Sequence, residues 1–412
     1  MKHPREIAIR DYTYDLPEKL IAQEPLRDRD ASRLLVYQED RIVESQFSCI
    51  DEFLEEGSLL FFNRTKVVQA RLYFKKESGA VIQCMCLEPE NNTPMEIALQ
   101  QRGTARWVCM IGNAKRWKDG ALQLTCTIDG VEVMLSAFRR SFEGQENTVE
   151  FSWTPQNFSF SEILLHSGVL PLPPYMQRDA VEVDKVRYNT VYAEQEGSVA
   201  APTAGLHFTS AVFEKLAKKK IDCEYLTLHV GAGTFKPVKS ESMKDHDMHA
   251  ERIYVTKKQL LTILDYRRSG RKIVCVGTTS LRTLESAYWW GVKILEAGSG
   301  EVPFEIGQWE PYDARAGALP TLEESFSAIL SQMENKQDLE VSGLTRILIV
   351  PGYSFKVVDQ LITNFHQPQS TLLLLVAAFI GSDWKTVYDF AMEHNFRFLS
   401  YGDSSLLSRT TK

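Results

Sequence analysis

A change of sequence period constrains this fold more than any other feature. Seven short runs rich in strand-forming residues follow one another with no helical spacing between them: VVQARLYF (67–74), AVIQCMCLE (80–88), MEIALQ (95–100), RWVCMI (106–111), ALQLTCTI (121–128), VEVMLSAF (131–138) and NTVEFSW (147–153). The clusters ESG, ENNTP, GTA, KDG, DG and EGQE separate them as turns. Such a series predicts an antiparallel barrel or sandwich over residues 67–153. The pattern differs on both sides. Before it, LPEKLIAQEP and CIDEFLEEG read as short helices flanking the strands SRLLVYQ and SLLFFN. After it, the helical stretches SEILLHSG, SAVFEKLAKKK, KKQLLTILDYRRSG, SLRTLESAYWW, residues 371–381 and DWKTVYDFAMEHN alternate with the strands CEYLTLHV, KIVCVG and ILIV.

The expected architecture is therefore a mixed α/β body interrupted by an inserted antiparallel β domain. A chain of 412 residues exceeds what one core supports, roughly 250 to 300 residues. Residues 1–66 are too few to bury a core of their own, so the body is expected to be discontinuous, from 1–66 and 154–412. Residues 291–344, with GSGE, ARAGALP and one amphipathic helix near 321–334, read as a peripheral excursion.

Several function classes lose support. The seven cysteines are scattered without a CxxC pair, which removes the usual zinc and iron–sulfur patterns, and no metal is expected. No GxSxG elbow, Walker A loop or HExxH motif is present. The start lacks a basic-then-apolar signal, and the longest apolar run, LLLLVAAFI (372–380), falls short of the ~20 residues that span a bilayer. A cytoplasmic protein without membrane contact is the expectation. A net charge of -7 argues against indiscriminate nucleic-acid coating. KRWK (115–118), KLAKKK (215–220) and YRRSGRK (266–272) are local basic patches, a pattern that most often marks a solvated face.

Five stretches carry candidate chemistry. In IVCVGTTSLRTLESAYW a strand ends at Gly277, Thr278, Thr279 and Ser280 offer N-caps, and Arg282 falls in the first helical turn. Amides, hydroxyls and a guanidinium would meet there, a seat for carboxylate or phosphate; a well-capped core helix explains the same residues equally well. LHVGAGTFKPV places Gly231, Gly233 and Thr234 after a strand carrying His229, but lacks the third glycine and the helix of a dinucleotide fingerprint. Its glycines still permit close approach of a ligand. ITNFHQPQSTLLLLVAAF gathers Thr363, Asn364 and His366 at a strand end before an apolar helix. APTAGLHFTS sets Thr203 and Gly205 beside His207, and FFNRTKVVQARL brings Asn63, Thr65 and Arg71 to the entrance of the insertion. Any one of these histidines reads best as a hydrogen-bonded structural residue; three at strand ends favour a site.

In this order the motifs resemble one family, the S-adenosylmethionine:tRNA ribosyltransferase-isomerases of queuosine biosynthesis. The likeness is carried by DLPEKLIAQEPLRDRDASRLLV, FFNRTKVVQARL, GVLPLPPYMQRD, RYNTVYA with GSVAAPTAGLHFT, LHVGAGTFKPV, DHDMHAE, VGTTSLRTLES, PGYSFKVVDQLITNFHQPQSTLLLLVAAF and YGDSSLL, spanning residues 15–407. The resemblance implies an α/β body carrying a β-barrel. It also implies transfer and isomerisation of the ribosyl group of S-adenosylmethionine onto a 7-aminomethyl-7-deazaguanine at the tRNA wobble position, giving epoxyqueuosine tRNA, adenine and methionine. S-adenosylmethionine is then a substrate, and no cofactor is expected.

On that reading His207, His229 and His366 border one pocket as general acids and bases. Asn63, Thr65, Arg71, Thr203, Gly205, Gly231, Gly233, Thr234, Gly277, Thr278, Thr279, Ser280, Arg282, Thr363, Asn364 and Asp403 contact substrate, and Lys115, Arg116 and Lys118 contact tRNA. A monomer is expected. The chain departs from the family pattern at Gln83, where an acidic residue is usual, at Asn189, where glutamine is favoured, at Gln367, where an apolar residue is usual, and in the length of 291–344. These departures touch the barrel and peripheral tRNA contacts more than the chemistry. A noncatalytic RNA-binding protein and an S-adenosylmethionine methyltransferase are the competing classes.

Overall fold

The computed structural model describes residues 3–140, 146–231, 238, 240–313, 315 and 317–410. The chain begins with β1 (Arg33–Gln38), β2 (Arg41–Gln46), β3 (Leu59–Asn63) and the short β4 (Thr65–Val67). The insertion follows as β5 (Arg71–Lys75), β6 (Val81–Pro89), α1 (Met95–Leu99), β7 (Thr104–Gly112), β8 (Leu122–Ile128), β9 (Val131–Arg139) and β10 (Glu146–Thr154). Next come α2 (Phe160–Ser167), α3 (Glu182–Arg187), β11 (Gln195–Ser198), α4 (Ser210–Lys218), β12 (Asp222–His229), β13 (Glu251–Thr256) and α5 (Lys257–Arg268). The rest is β14 (Ile273–Val276), α6 (Thr278–Ala297), β15 (Glu305–Ile306), α7 (Leu322–Lys336), β16 (Glu340–Thr345), β17 (Gln360–Asn364), α8 (Thr371–Ile380), α9 (Trp384–Glu393) and β18 (Ser404–Ser408).

The body is built on a ten-stranded mixed sheet in the order β15-β16-β13-β12-β3-β14-β17-β18-β1-β2. Its centre, β12, β3, β14 and β17, is parallel. Central parallel strands are covered on both faces and so read as unbroken apolar runs, which is what LLFF and IVCV are. Period-two alternation then sorts the side chains. Leu59, Phe61, Ile273 and Cys275 join the larger core with Leu260, Leu281, Trp289, Phe326 and Leu373, while Leu60, Phe62, Val274 and Val276 join Phe47, Phe208, Val212 and Leu216 on the other face.

The insertion forms a separate antiparallel sheet, β5-β6-β7-β10-β9-β8, whose outer strands β5 and β8 come alongside each other and nearly close the barrel. Both parts of the expected fold class, the mixed α/β body and the inserted barrel, are present. Six strands form it, not seven. MEIALQ folds as α1, because Met95, Ala98 and Leu99 fall at the i, i+3, i+4 spacing of one buried helical face. VVQARLYF divides between β4, paired in parallel with β11, and β5, which starts the barrel. The barrel core, with Trp107, Phe151 and Trp153, continues into Phe160, Ile163 and Leu164 of α2, beyond residue 153.

Two further expectations are corrected. ILIV is buried but belongs to no strand; the neighbouring EVSGLT forms β16 instead. Residues 291–344 are not a peripheral excursion. β15 and β16 complete one end of the main sheet, and Phe326, Ile329 and Met333 of α7 enter the large core. The reason is close packing: Gly291 of α6 sits so near α7 that a Cβ there would lie 2.3 Å from the Ser325 carbonyl. LPEKLIAQEP and CIDEFLEEG hold only 3₁₀ turns, at Glu18–Leu20 and Phe47–Phe53. Thr371–Glu393 matches a membrane span by length and mean hydropathy (1.2), but α8 and α9 are separated by a 3₁₀ turn and 56% of the apolar window is buried.

Candidate active site

Where parallel strands end, the chain must turn into helices, and the backbone groups released there face a crevice. β14 and β17 end side by side, and beyond them lies a cavity of about 190 Å³. Its wall includes Thr203, Gly277, Thr278, Thr279, Arg282, Thr363, Asn364 and His366. Gly277 carries φ of 87°, a conformation that side-chain-bearing residues rarely adopt, and this turn lets α6 start directly at the cavity. The N-terminal amides of a twenty-residue helix thus meet the Thr278 and Thr279 side chains and the guanidinium of Arg282.

Arg282 is held in place from behind. Its Nη1 donates to the Glu251 carboxylate and its Nε to the Ile347 carbonyl at 3.3 Å, while Nη2, although buried, has no partner among the described residues. Burial alone would raise the Glu251 pKa, but Arg282 and a hydrogen bond from His249 overcome it and hold the carboxyl down at about 2. Two more buried atoms on the same wall lack partners among the described residues, Thr279 Oγ1 and Asn364 Oδ1. An unmet buried polar group costs about 1–3 kcal/mol, so three around one hollow make a ligand-shaped pattern.

The three expected histidines do not share this hollow. His366 lines it: its Nε2 lies 2.9 Å from Thr363 Oγ1, and its backbone is held by Tyr14 and Tyr388. Burial lowers its pKa to about 4, leaving a neutral ring at pH 7. His207 lines a smaller neighbouring pocket with Arg29, Arg187 and Tyr401. Its Nδ1 lies 2.8 Å from Ser32 Oγ and its Nε2 3.2 Å from Asn364 Nδ2, so it touches the cavity only through Asn364. Burial pushes it down to about 4 as well. His229 faces elsewhere, its Nε2 lying 3.2 Å from Glu96 of α1; that carboxylate also accepts from Tyr254 and ties the barrel insertion to the body.

Other expected contacts are also structural. Asn63 and Thr65 are fully buried and spend their side chains on Leu228 and Ser198. Arg71 donates to the Leu172 carbonyl, and Gly205 is packed under Tyr192. Ser280 Oγ donates to the Val276 carbonyl. Asp403 accepts from the Arg33 and Arg397 amides, so it shapes the loop that receives Asn364 Nδ2 on its carbonyl. None of these six lines the cavity, and neither does Gly231. Gly233 and Thr234 lie outside the described residues. Of the three departing residues, Gln367 is on the cavity wall, Asn189 accepts from the Val67 amide, and the Gln83 side chain lies against Gly112 in the barrel.

Sequence reasoning missed Tyr175, His246, Asp247 and His249, all on the cavity wall, and Glu251 behind it. The signal was the segment DHDMHAE, whose two histidines and acidic residues converge within one loop. Lys115, Arg116 and Lys118 are exposed on the barrel, around the buried Trp117, and among the described residues no carboxylate pairs with them. The other basic patches are engaged: Lys215 and Lys219 donate to the Ser48 and Asp51 carbonyls, Lys220 pairs with Glu56, Arg267 with Asp359 and Arg268 with Glu323.

The profile of a family described as queuosine biosynthesis protein matches residues 9–407. An S-adenosylmethionine:tRNA ribosyltransferase-isomerase of Azoarcus sp. (strain BH72) is 37% identical over 98% of both chains. One from Aromatoleum aromaticum is 38% identical, again over 98% of each. A solved S-adenosylmethionine tRNA ribosyltransferase from Thermotoga maritima is 30% identical, with 96% of this chain and 99% of that one covered and a TM-score of 0.45. With relatives alike from end to end and a family match over nearly the whole length, the chain belongs to the queuosine biosynthesis protein family.

Proposed function

We propose that this chain is an S-adenosylmethionine:tRNA ribosyltransferase-isomerase, and that the cavity beyond β14 and β17 is where S-adenosylmethionine is taken apart. The observation that carries the placement is the convergence of Arg282 Nη2, Thr279 Oγ1 and Asn364 Oδ1, two of them able to donate and one only to accept. An amino-acid moiety meets that set: its carboxylate takes the guanidinium and the α6 N-terminus, and its ammonium donates to Asn364 Oδ1. Ile347, Ile349, Phe365 and Leu375 give the rest of the molecule an apolar surface.

Positive sulfur acidifies the adjoining ribose C5' hydrogens. A base removes one, adenine leaves, the aminomethyl group of the 7-deazaguanine attacks the sugar, and a ribose oxygen displaces methionine as the epoxide closes. Holding both substrates in one enclosed site lowers such barriers by roughly 7–11 kcal/mol in favourable cases. His366 serves as a neutral hydrogen-bond partner, and His207 and Asp403 position Asn364. The wobble base enters splayed from the anticodon loop, while Lys115, Arg116 and Lys118 contact the tRNA backbone. The enzyme acts in the cytoplasm as a monomer, without metal or cofactor.

Mass analysis of tRNA carrying the 7-aminomethyl-7-deazaguanine base, incubated with S-adenosylmethionine, tests this reading. The expected result is one added epoxy-cyclopentane unit with adenine and methionine released. A methylated product with S-adenosylhomocysteine, or bound tRNA with no adenine, would reject it.

A further inference from the structure

His249 stands apart from the histidines on which the sequence drew attention. It follows the 3₁₀ turn Met243–Asp245, lines the cavity with His246 and Asp247, and is about one-third exposed (32%). Its Nε2 lies 3.4 Å from Glu251 Oε1, and that carboxylate, with 1% of its side chain exposed, binds Arg282 through its other oxygen. A carboxylate that receives Nε2–H selects the tautomer whose Nδ1 keeps its lone pair. This is the arrangement of an oriented base: a titratable ring on the cavity wall, a buried acidic partner fixing it, and an anion receptor on the far side of the same partner. By contrast, both ring nitrogens of His207 are engaged within the protein, and His229 does not reach the cavity.

We propose that His249 is a catalytic residue that takes the first proton from S-adenosylmethionine, with Glu251 as the positioning residue that orients its ring; this rests on the reading of the cavity given above. The proton leaves C5' for His249 Nδ1, and the C–H electron pair stays on carbon beside the positive sulfur as an ylide. That pair forms C4'=C5' as the C4'–O4' bond breaks, the freed O4' pair forms C1'=O4' as the C1'–N9 bond breaks, and the imidazolium passes the same proton to the departing purine nitrogen, so the ring returns to neutral. Glu251 remains ionised throughout and balances the transient imidazolium, which suits a carboxyl held near 2. Arg282 shares that carboxylate, His246 and Asp247 flank the ring on its own loop, and His366 lies on the β17 side of the cavity.

The test compares His249→Ala and Glu251→Gln with the unaltered enzyme, measuring S-adenosylmethionine affinity and adenine release separately. His249→Ala is expected to keep its affinity within about threefold and to lose roughly 10²-fold or more in adenine release, partly restored by added imidazole. Glu251→Gln is expected to lose about tenfold in adenine release, and in the double variant the two losses are expected not to add, because Glu251 acts through the His249 ring. A merely structural carboxylate would add its own loss to that of His249→Ala. Adenine release within about threefold of normal by a His249→Ala protein that binds S-adenosylmethionine overturns the proposal alone. Unchanged affinity in both Thr279→Val and Asn364→Ala overturns the reading of the cavity and takes the proposal with it.

Discussion

Two asparagines end two neighbouring regions of the same sheet and have opposite fates. Asn63 closes β3 and Asn364 closes β17, and both are buried, at 0% and 2% exposure. The Asn63 amide is spent inside the fold: Oδ1 accepts from the Thr65 and Leu228 amides, and Nδ2 donates to the Leu228 carbonyl. Asn364 donates to His207 and the Asp403 carbonyl, but on the cavity wall its Oδ1 has no partner among the described residues. Position at a strand end therefore does not make a site. A residue recognises a ligand when the fold holds it rigidly and leaves part of its hydrogen-bonding capacity unmet.

The contrast can be broken most forcefully at Arg282. Arg282→Met leaves Glu251 ionised, buried and without its main partner, and is expected to cost about 3–5 kcal/mol in urea unfolding. A loss near zero would mean that the cavity side is as loosely built as a surface. A smaller effect follows from pH. His207 falls from its usual 6.5 to about 4 on burial, so the native state refuses a proton that the unfolded chain accepts. That contribution is complete above pH 6.5 and is lost as pH drops towards 4, up to about 3 kcal/mol. Urea midpoints measured between these limits should fall, and fall less in His207→Asn.

Asn63→Ala sharpens the comparison, since Leu228 and Thr65 would be left with unmet backbone groups, at an expected cost of about 1–3 kcal/mol by thermal or urea unfolding. Smallest is the surface term. Replacing Lys115, Arg116 and Lys118 together by alanine should leave stability within about 0.5 kcal/mol and flatten the salt dependence of tRNA binding. An unchanged slope would remove these residues from the interface.

How much could be read beforehand follows the same division. The barrel, the buried central strands and α6 were legible because period-two and apolar-run patterns are local. The turn at Gly277 with Arg282 was legible too, and so was Thr363–His366, since helix starts and strand ends announce themselves in a few residues. MEIALQ misled because so short a segment, apolar but for Glu96 and Gln100, fits either a strand or one buried helical face. The role of α7 and β16 was hidden because it depends on the contact between Gly291 and Ser325, remote in sequence. The histidine positions were visible but their directions were not. His229 turns to Glu96, 133 residues away, and His249 to Glu251, two residues away.

The most direct measurement is a titration of S-adenosylmethionine onto Asn364→Ala and Asn63→Ala, each corrected for its folded fraction. Asn364→Ala should bind about tenfold more weakly, and Asn63→Ala within about twofold of the unaltered chain. Equal losses in the two, or a loss confined to Asn63→Ala, would contradict the assignment of the cavity beyond β14 and β17 to this substrate.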